Sequence, residues 1–536
     1  MERRALIAVV VSLVILIAYQ ELVVRWLAPH PLPPDTEEVA PAPPLPPAAQ
    51  PEPAEPAPEV VVAPAAEAVK IAVETDLYKA TFSSIGARLE SLQLTRYRAT
   101  VAPDSPPQET VMPGQHGERP FGVELRGTKV LSDAGAPYTV QGGPLRLTSK
   151  DSGSIEFVWQ TEGATIRKRF TFYGDRYDFE GSVAVEGVAA DHNELGISWI
   201  RGVDVTPHPG IEVAFDRAVF LDGKKVTEEQ FEQLADGKVL AGNIVWAGYA
   251  GRHFLGSMIP VDAPSRRLWL KLRDQTVETK LLFPVKDAAQ VKLGVYVGPK
   301  DIDVLDSVGH DLARAVDLGW FGFIALPLLH ILKFSHRFTS NYGIDILLLT
   351  VVIKVLFIPL TQRSFQSMRE MQKLQPQMTK IRERFKDNPE QMNKEIMELY
   401  RRHKVNPFGG CLPMLLQIPV FIGLYSALMN AVELRHAPFM LWINDLATPD
   451  RLGTLAIPFV NPPGIPVLTV LMGASMFVQQ WMTPAAGDPA QQRMMMIMPA
   501  LFTVMFLNVP SGLVLYWLIN NVLTIAQQYH IAREST

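Results

Sequence analysis

One lysine stands within an apolar run that is otherwise suited to a membrane. Lys354 lies inside the segment from Ile344 to Leu360, seven residues before Thr361. Burying its ammonium costs at least about 3 kcal/mol, even on the scale derived from membrane insertion. A cation in such a place can attract acidic groups without any covalent step. Two interpretations are open: the side chain snorkels to the cytoplasmic headgroups, or it faces a wet cavity between helices.

Further polar side chains occur at helical spacing in the apolar segments. Thr350 lies one turn before Lys354 on the same face, because residues four apart stack in a helix. Taken singly, each polar residue is explained by a hydrogen bond between helices. Together with a cation, they predict a polar cavity that opens toward the cytoplasm. The other members are Gln417 in one segment and Trp517, Asn520, Asn521 and Thr524 in the last one.

Covalent catalysis and transport are the alternatives to a purely binding role. A Ser/Lys hydrolase needs a serine beside Lys354, but Ser364 lies ten residues along the same helix, roughly 15 Å away. The run Gly473-Ala-Ser-Met-Phe lacks the closing glycine of a nucleophile elbow. A secondary transporter should show two related halves, and no repeat is visible. We therefore predict that the protein is not an enzyme, and we keep the intramembrane hydrolase and the transporter as alternatives.

The amino-acid composition narrows the range of functions further. The chain has 536 residues, is 48% hydrophobic and carries a formal net charge of -5. Without an overall basic field, direct sequence-specific binding to nucleic acid is not expected. The single cysteine, Cys411, excludes an intrachain disulfide and a cysteine-based zinc site. The sequence predicts neither a metal nor a cofactor.

The first 68 residues form two segments of opposite character. Residues 1–28 contain an uncharged run, Ala5 to Tyr19, behind Arg3 and Arg4. Since no small-x-small cleavage site follows, this pattern predicts an uncleaved transmembrane anchor, with a cleaved signal peptide as the alternative. Residues 29–68 form a proline-rich acidic linker, with 14 prolines among residues 29–64. Such a segment is a tether, because it can form neither a helix nor a paired strand.

Short alternating apolar segments with turn signals fill residues 69–300 and predict an all-β sandwich domain. Within it, Arg167-Lys168-Arg169 reads as a basic patch on a solvated strand face. Residues 317–334 are apolar but short for a span and contain Pro327 and His330. They indicate an amphipathic helix lying in the membrane interface, with a true span as the weaker option.

The last third of the chain predicts a helical membrane core over residues 341–533. Together with the anchor, five apolar segments give six spans, some of them short enough to require tilt or a thin bilayer. Basic residues outnumber acidic ones by 11 to six in the loop 361–410, which places this loop in the cytoplasm. Both termini are then cytoplasmic and the β-domain lies outside, in the periplasm. The five segments are Ile344 to Leu360, Leu412 to Met429, Ile465 to Trp481, Met494 to Leu507 and Gly512 to about Ile525.

The cytoplasmic loop 361–410 has its own helical periodicity. Apolar residues recur every three or four positions from Phe365 to Phe385, and Pro389 then begins a second amphipathic helix. The pattern predicts a basic helical hairpin. Its methionine-rich stripe either packs the two arms together or forms a docking surface, and both remain open. The basic residues predicted to be exposed on it are Lys373, Lys380, Arg382 and Lys394.

Several motifs resemble the YidC/Oxa1/Alb3 family of membrane protein insertases, in its Gram-negative form with a large periplasmic domain. The order and spacing match over residues 318 to 533, and the anchor, linker and β-domain extend the likeness to nearly the whole chain. The motifs are Asn341-Tyr-Gly-Ile, Pro359-Leu-Thr, Leu374-Gln-Pro, Tyr400, Lys404-Val-Asn-Pro-Phe-Gly-Gly-Cys-Leu-Pro413, Gln417-Ile-Pro, Trp442-Ile-Asn-Asp-Leu446 and Pro510-Ser-Gly-Leu-Val-Leu-Tyr-Trp517.

The resemblance implies an architecture and a site. It implies a periplasmic β-supersandwich, an interfacial helix and a five-helix insertase core around a hydrophilic groove open to cytoplasm and lipid. The groove cation of the family, usually arginine, corresponds to Lys354, which keeps the charge but not the bidentate guanidinium. The groove and client-contact positions carry over to Thr350, Gln417, Tyr516 and Trp517.

The resemblance also implies a function and partners. The expected role is that of an insertase and chaperone of the bacterial inner membrane, acting alone or with the Sec translocon. Its expected partners are nascent membrane proteins, the ribosome or targeting factors at the hairpin, and membrane lipids.

Overall fold

The computed structural model describes residues 68–533, with gaps at 162, 204–215, 263–264, 404, 406–411 and 483–488. The predicted anchor (1–28) and nearly all of the predicted linker (29–68) lie outside the described residues and stay predictions.

Strands occupy the first half of the described chain, as the alternating pattern predicts. In β10, for example, every second side chain is buried. The strands are β1 (Lys70–Glu74), β2 (Tyr78–Ser83), β3 (Arg88–Arg98), β4 (Pro107–Glu109), β5 (Gly122–Gly127), β6 (Val130–Ser132), β7 (Thr139–Gln141), β8 (Leu145–Arg146), β9 (Ser152–Thr161), β10 (Ala164–Tyr173), β11 (Asp178–Glu186), β12 (His192–Gly202), β13 (Arg217–Asp222), β14 (Lys225–Gln230), β15 (Lys238–Ala250), β16 (Phe254–Pro260), β17 (Ser265–Arg273), β18 (Thr276–Pro284) and β19 (Ala288–Pro299).

These strands form two sheets. The smaller one has the order β4-β3-β2-β1-β8. The larger one has 14 strands, with twelve along the path β6-β5-β12-β18-β17-β15-β16-β19-β11-β10-β9-β7, β13 attached to β15, and β14 attached to β13. Phe82 on β2 of the smaller sheet packs 4.8 Å from Phe170 on β10 of the larger one, measured between ring centroids. The two sheets therefore share one apolar core, which confirms the predicted sandwich at this level.

The prediction of a solvated basic patch at Arg167-Lys168-Arg169 is wrong for its central residue. Lys168 is fully buried, whereas Arg167 is half-buried and Arg169 is exposed on the other face of β10. The physical reason is the two-residue period of a strand, which turns neighbouring side chains to opposite faces.

Lys168 belongs to a buried ionic cluster. Its Nζ lies 2.5 Å from Asp133 Oδ2 and donates to the carbonyls of Gly86 and Phe121, each at 2.6 Å. Burial, and secondarily the charge of Arg88, lowers the pKa of Lys168 to about 7, although Asp133 opposes that shift. The same carboxylate also accepts from Arg88 Nη2 at 2.6 Å, Tyr138 Oη at 2.9 Å and the Val123 amide at 3.0 Å.

Helices make up the second half of the described chain. Each of the five predicted apolar segments falls almost entirely within a helix. The predicted interfacial helix at 317–334 begins later and runs further than expected, over α2. The helices are α1 (Ile302–Val308), α2 (Gly322–Thr339), α3 (Tyr342–Arg384), α4 (Pro389–Arg402), α5 (Leu412–Asn430), α6 (Val467–Met482), α7 (Pro489–Met505) and α8 (Ser511–Arg533).

Only α3, among the described helices, is both long and apolar enough to cross a membrane by length and composition. Helix α6 and the Met495–Met505 part of α7 are apolar but shorter. The helices α2, α3, α5, α6 and α8 nevertheless share one buried apolar core. The number of membrane spans is therefore not fixed by these helices.

Two arginines connect the β-domain with the helical half of the chain, and one lysine joins α2 to the start of α1 and to the segment after α5. Arg252 donates to the carbonyls of Met429 at 3.0 Å and Ala447 at 3.1 Å. Arg435 donates to the carbonyls of Arg98 and Ala99 at 2.6 and 3.2 Å. Lys333 on α2 lies within 2.9 Å of three carboxylates, those of Asp301, Asp303 and Glu433.

Candidate functional site

The start of α3 is fixed by side-chain hydrogen bonds. The Asn341 side chain accepts from the amides of Gly343 at 2.9 Å and Ile344 at 3.2 Å, and it donates to the Phe439 carbonyl at 3.1 Å. Asp345, fully buried, accepts from Thr339 Oγ1 at 2.7 Å. These contacts set the rotation of α3 and thus the direction of residues further along it.

Lys354 points from α3 to α8. Its Nζ donates to Thr524 Oγ1 at 2.6 Å, and that hydroxyl donates in turn to the Asn520 carbonyl at 2.6 Å. Lys354 is half-buried and Thr524 is buried. Among the described residues, no carboxylate forms an ion pair with this ammonium. The cation therefore lies between two helices and leaves two of its three N–H groups for other acceptors.

Gln417 on α5 contacts the same helix nearer its start. Gln417 Nε2 donates to Tyr516 Oη at 2.5 Å, and the tyrosine ring is buried. Tyr516, Asn520 and Thr524 are four residues apart, so they lie on one face of α8 over about 12 Å. This face and its two partners form a polar seam, defined here as Lys354, Gln417, Tyr516, Asn520 and Thr524.

Two other predicted site residues lie elsewhere. The Thr350 hydroxyl donates to the carbonyl of Ile346 on its own helix at 2.6 Å and is buried. Trp517 packs its ring against Phe421 at 4.7 Å and Phe506 at 5.3 Å, in an aromatic cluster beside the seam. The reason is the turn of about 100° between consecutive helical residues, which separates Trp517 from Tyr516.

The sequence analysis missed one contact that extends the seam. Gln527 Nε2 donates to Thr361 Oγ1 at 2.9 Å, again between α8 and α3. Gln527 follows Thr524 by three residues, so the same helical spacing could have identified it. Asn521, on the neighbouring face, donates to Ser475 Oγ on α6 at 3.0 Å.

The helical hairpin predicted at 361–410 combines the second half of α3 with α4. The middle of its apolar stripe is buried between the arms, and Tyr400 Oη contacts Met378 Sδ at 3.3 Å. Lys373, Lys380 and Lys394 are exposed, whereas Arg382 is half-buried. The buried residues at this junction are Met371, Leu374, Met378, Leu399, Tyr400 and Val405. The packing interpretation is thereby favoured for the middle of the stripe, and the exposed lysines lie outside it.

The chemistry available is binding rather than bond making. The seam offers one ammonium, two amides and two hydroxyls. Among the described residues, no group of three or more His, Cys, Asp or Glu side chains is arranged to hold a metal ion. The seam suits transient contact with polar or acidic groups on a chain that is otherwise apolar.

Two family models match the chain. The model described as 60Kd inner membrane protein matches residues 334–536, and the model described as YidC periplasmic domain matches residues 70–331. The boundary between them lies in α2.

Relatives are similar over the full length. The membrane protein insertase YidC of Syntrophobacter fumaroxidans is 42% identical over 557 aligned residues that cover 100% of both chains. That of Pelobacter propionicus is 38% identical and covers 99% of both. A crystal structure titled as an active YidC insertase, 18% identical, covers 86% of this chain and 94% of its own with a TM-score of 0.38. A galactose mutarotase-like protein from Lactobacillus casei covers 43% of this chain at a TM-score of 0.30.

Proposed function

The chain belongs to the YidC family of membrane protein insertases, and from this premise we propose that its polar seam receives the polar segments of client membrane proteins. The protein is an inner-membrane insertase with a periplasmic domain, and its function is not enzymatic. Clients are nascent membrane proteins. The contact between Lys354 and Thr524 carries the proposal, because it directs a cation into the helix bundle and not toward the headgroups.

The physical advantage of such a seam is a lower free-energy barrier for moving the client's polar groups across the bilayer. A charged group at the centre of a bilayer costs at least about 3 kcal/mol. Polar side chains along about 12 Å of α8 replace part of that apolar path. The client's apolar segment then leaves sideways into lipid, while its polar tail passes the seam.

The proposed topology follows from the charge distribution. Helices α3, α5, α6, α7 and α8, with the anchor at 1–28, make six spans with both termini in the cytoplasm. Helix α2 lies in the external interface, which its exposed Phe323, Phe334 and Phe338 support. The hairpin then projects into the cytoplasm, where its lysines meet the ribosome or targeting factors. Clients arrive directly or from the Sec translocon.

The deciding experiment uses paired clients that differ only in the acidity of the translocated tail. We expect Lys354→Arg to retain insertion of both, because a point charge suffices for attraction. Lys354→Ala should impair the acidic-tailed client more than the neutral one, and Lys354→Glu should impair it further. Insertion is measured at matched insertase levels.

A matched control removes the same charge elsewhere on α3. Lys373→Ala lies in the exposed hairpin and should not discriminate between the two tails. If Lys354→Ala is tolerated for every client, the snorkelling interpretation is correct. Equal loss for acidic and neutral tails contradicts charge attraction and assigns the lysine a role in hydration or folding.

A further inference from the structure

The external loop before α6 has an unusual composition for a segment outside a membrane. The loop 451–466 begins with Arg451, and no charged residue or histidine follows until Asp488, 37 residues later. Its apolar side chains are not covered by the rest of the protein. Leu455 is 59% exposed and Phe459 is 70% exposed, with Leu452 and Ile465 also exposed.

The loop is nonetheless held in a defined shape. The backbones of Leu452 and Ile465 exchange two hydrogen bonds of 3.0 Å, and the Gly464 amide donates to the Leu455 carbonyl at 2.9 Å. These bonds satisfy backbone groups within the loop itself. A segment that contacts lipid needs its backbone N–H and C=O groups to be hydrogen-bonded within the protein, because water is not there to pair with them.

Two side chains fix this loop to the backbone just beyond α7. Arg451 donates to the carbonyls of Pro462 at 2.6 Å, Asn461 at 2.9 Å and Leu507 at 3.0 Å. Asn508, just beyond α7, donates to the Phe459 carbonyl at 3.1 Å. The loop, which runs directly into α6, is therefore also held against the end of α7.

Phe459, at the exposed apolar tip of the loop, has a strained backbone conformation. Its φ is 65°, in the left-handed region where glycine or asparagine is favoured. Its ring gains little from packing, since most of it is exposed. A large apolar side chain in a strained position without a protein partner indicates an apolar partner outside the described chain.

The lengths of the helices suggest which partner this is. At 1.5 Å per residue, the 16 residues of α6 span about 24 Å, whereas the hydrocarbon core is about 30 Å thick. The exposed face of α6, with Val470 and Leu471, continues the apolar surface of the loop without a charge between them. An apolar loop inserted about 5–10 Å into the interface would supply the missing thickness.

We propose that the loop 451–466 is a lipid-binding wedge that inserts into the external leaflet and completes the hydrophobic height of α6 and α7. The ligand is the boundary between headgroups and acyl chains, and Phe459 and Leu455 are its deepest side chains. This inference rests on the topology proposed above, but it does not depend on client insertion.

The test places an environment-sensitive fluorophore on the tip. The full chain carries Cys411→Ser and Phe459→Cys labelled with NBD, in vesicles of phosphatidylethanolamine and phosphatidylglycerol containing nitroxide-labelled lipids. We expect a blue-shifted emission and stronger quenching by a nitroxide near the headgroup than by one at the chain end. The matched control, Lys129→Cys on the exposed β5–β6 turn, should show neither effect.

Three results would overturn the proposal. If the emission wavelength of the label at Phe459→Cys equals that of the control site, the loop lies in water. A blue shift that disappears as the protein is diluted in lipid, without nitroxide quenching, means contact with a second copy. Quenching at Leu455→Cys that is unchanged by Phe459→Asp means that the apolar tip does not hold the loop in the leaflet. Client insertion by the same vesicles is scored separately, so a failure of the wedge is distinguishable from a failure of the proposed function.

Discussion

At the scale of single residues, Lys168 couples the β-domain to pH. The lysine pKa is about 7 in the folded state and about 10.4 in an unfolded chain. Between these values the folded protein binds fewer protons, so the free energy of unfolding contributed by this group rises as pH increases from 7 to 10. Below pH 7 both states are protonated and the contribution is constant. Urea unfolding of the full-length chain in detergent across this range measures the slope.

Two variants distinguish the contribution of Lys168 to this pH dependence from that of the other titratable groups. Lys168→Met should abolish its part of the slope. It should also lower the free energy of unfolding by about 1–3 kcal/mol, because Asp133 loses one buried hydrogen-bonded partner while it keeps Arg88. Lys150→Met, at an exposed lysine, should keep the slope of the unmodified chain. Identical slopes in all three proteins would exclude Lys168 as the titrating group.

The sequence identifies the polar residues of the seam but not all of their directions. The sequence predicts that Lys354 and Thr524 line one cavity, but not that they form a hydrogen bond. Helical periodicity shows which face of its own helix a residue occupies, whereas the contacting residue on another helix depends on packing. Trp517 was expected in the groove because the family motif includes it, yet its ring packs on Phe421. For Lys168, the three-residue basic run concealed the strand period that buries its centre.

At the scale of elements, the hairpin is expected to recruit clients through its exposed lysines. Replacing Lys373, Lys380, Arg382 and Lys394 by Gln should weaken crosslinking to ribosomes or nascent chains several-fold, because ionic contacts at an exposed surface depend on these charges. The fold should survive, since the buried stripe is untouched. Crosslinking at physiological salt is the measurement.

The hairpin also offers a control in which negative charges are removed instead of positive ones. Glu370, Glu383 and Glu390 are exposed on the same arms, and their replacement by Gln should not reduce crosslinking. Because Arg382 is half-buried, the three lysines alone should account for most of the loss. If the basic variant crosslinks as the unmodified chain does, the hairpin is simply solvated.

Periodicity predicts the hairpin arms correctly but hides their continuity with the membrane helix. The sequence suggests a span ending at Leu360 and a separate amphipathic helix. The structure has one helix, α3, with Pro359 and Pro376 inside it. Proline usually ends a helix in water, and only the surrounding packing decides whether the helix continues.

At the scale of the whole molecule, the β-domain is expected to be dispensable for insertion. Deleting residues 70–300 removes neither the seam nor the hairpin, and it retains Lys333 with all three of its carboxylates. We expect the deletion to support growth of a depletion strain at matched expression. The thermal stability of the helical core should fall, because Arg252 and the carbonyl acceptors of Arg435 are lost.

Arg252→Ala in the full chain is the companion variant. It breaks the bonds to Met429 and Ala447 while the β-domain remains, so it should reproduce part of the loss in thermal stability without affecting growth. Loss of growth in the deletion strain, with normal levels of the protein, would contradict dispensability.

Neither the order of the strands nor the contacts between the domains was predictable. The parallel pairing of β1 with β8 joins segments about 70 residues apart, and no local pattern encodes such a partner. The contact between Arg252 and the Met429 carbonyl spans 177 residues. Local propensity determines that strands form, whereas long-range packing decides which ones pair.

The continuity of α3 gives the protein a lever arm. From Thr361 to Arg384 the helix extends about 36 Å beyond the membrane segment, with Lys354 less than two turns inside its proline. A bend of about 20° at Pro359 would move the outer end by about 12 Å, and a load applied at that end would exert torque on the helix that carries Lys354. Because α3 is one helix, a load that a partner applied to the hairpin would reach the seam without passing through any loop.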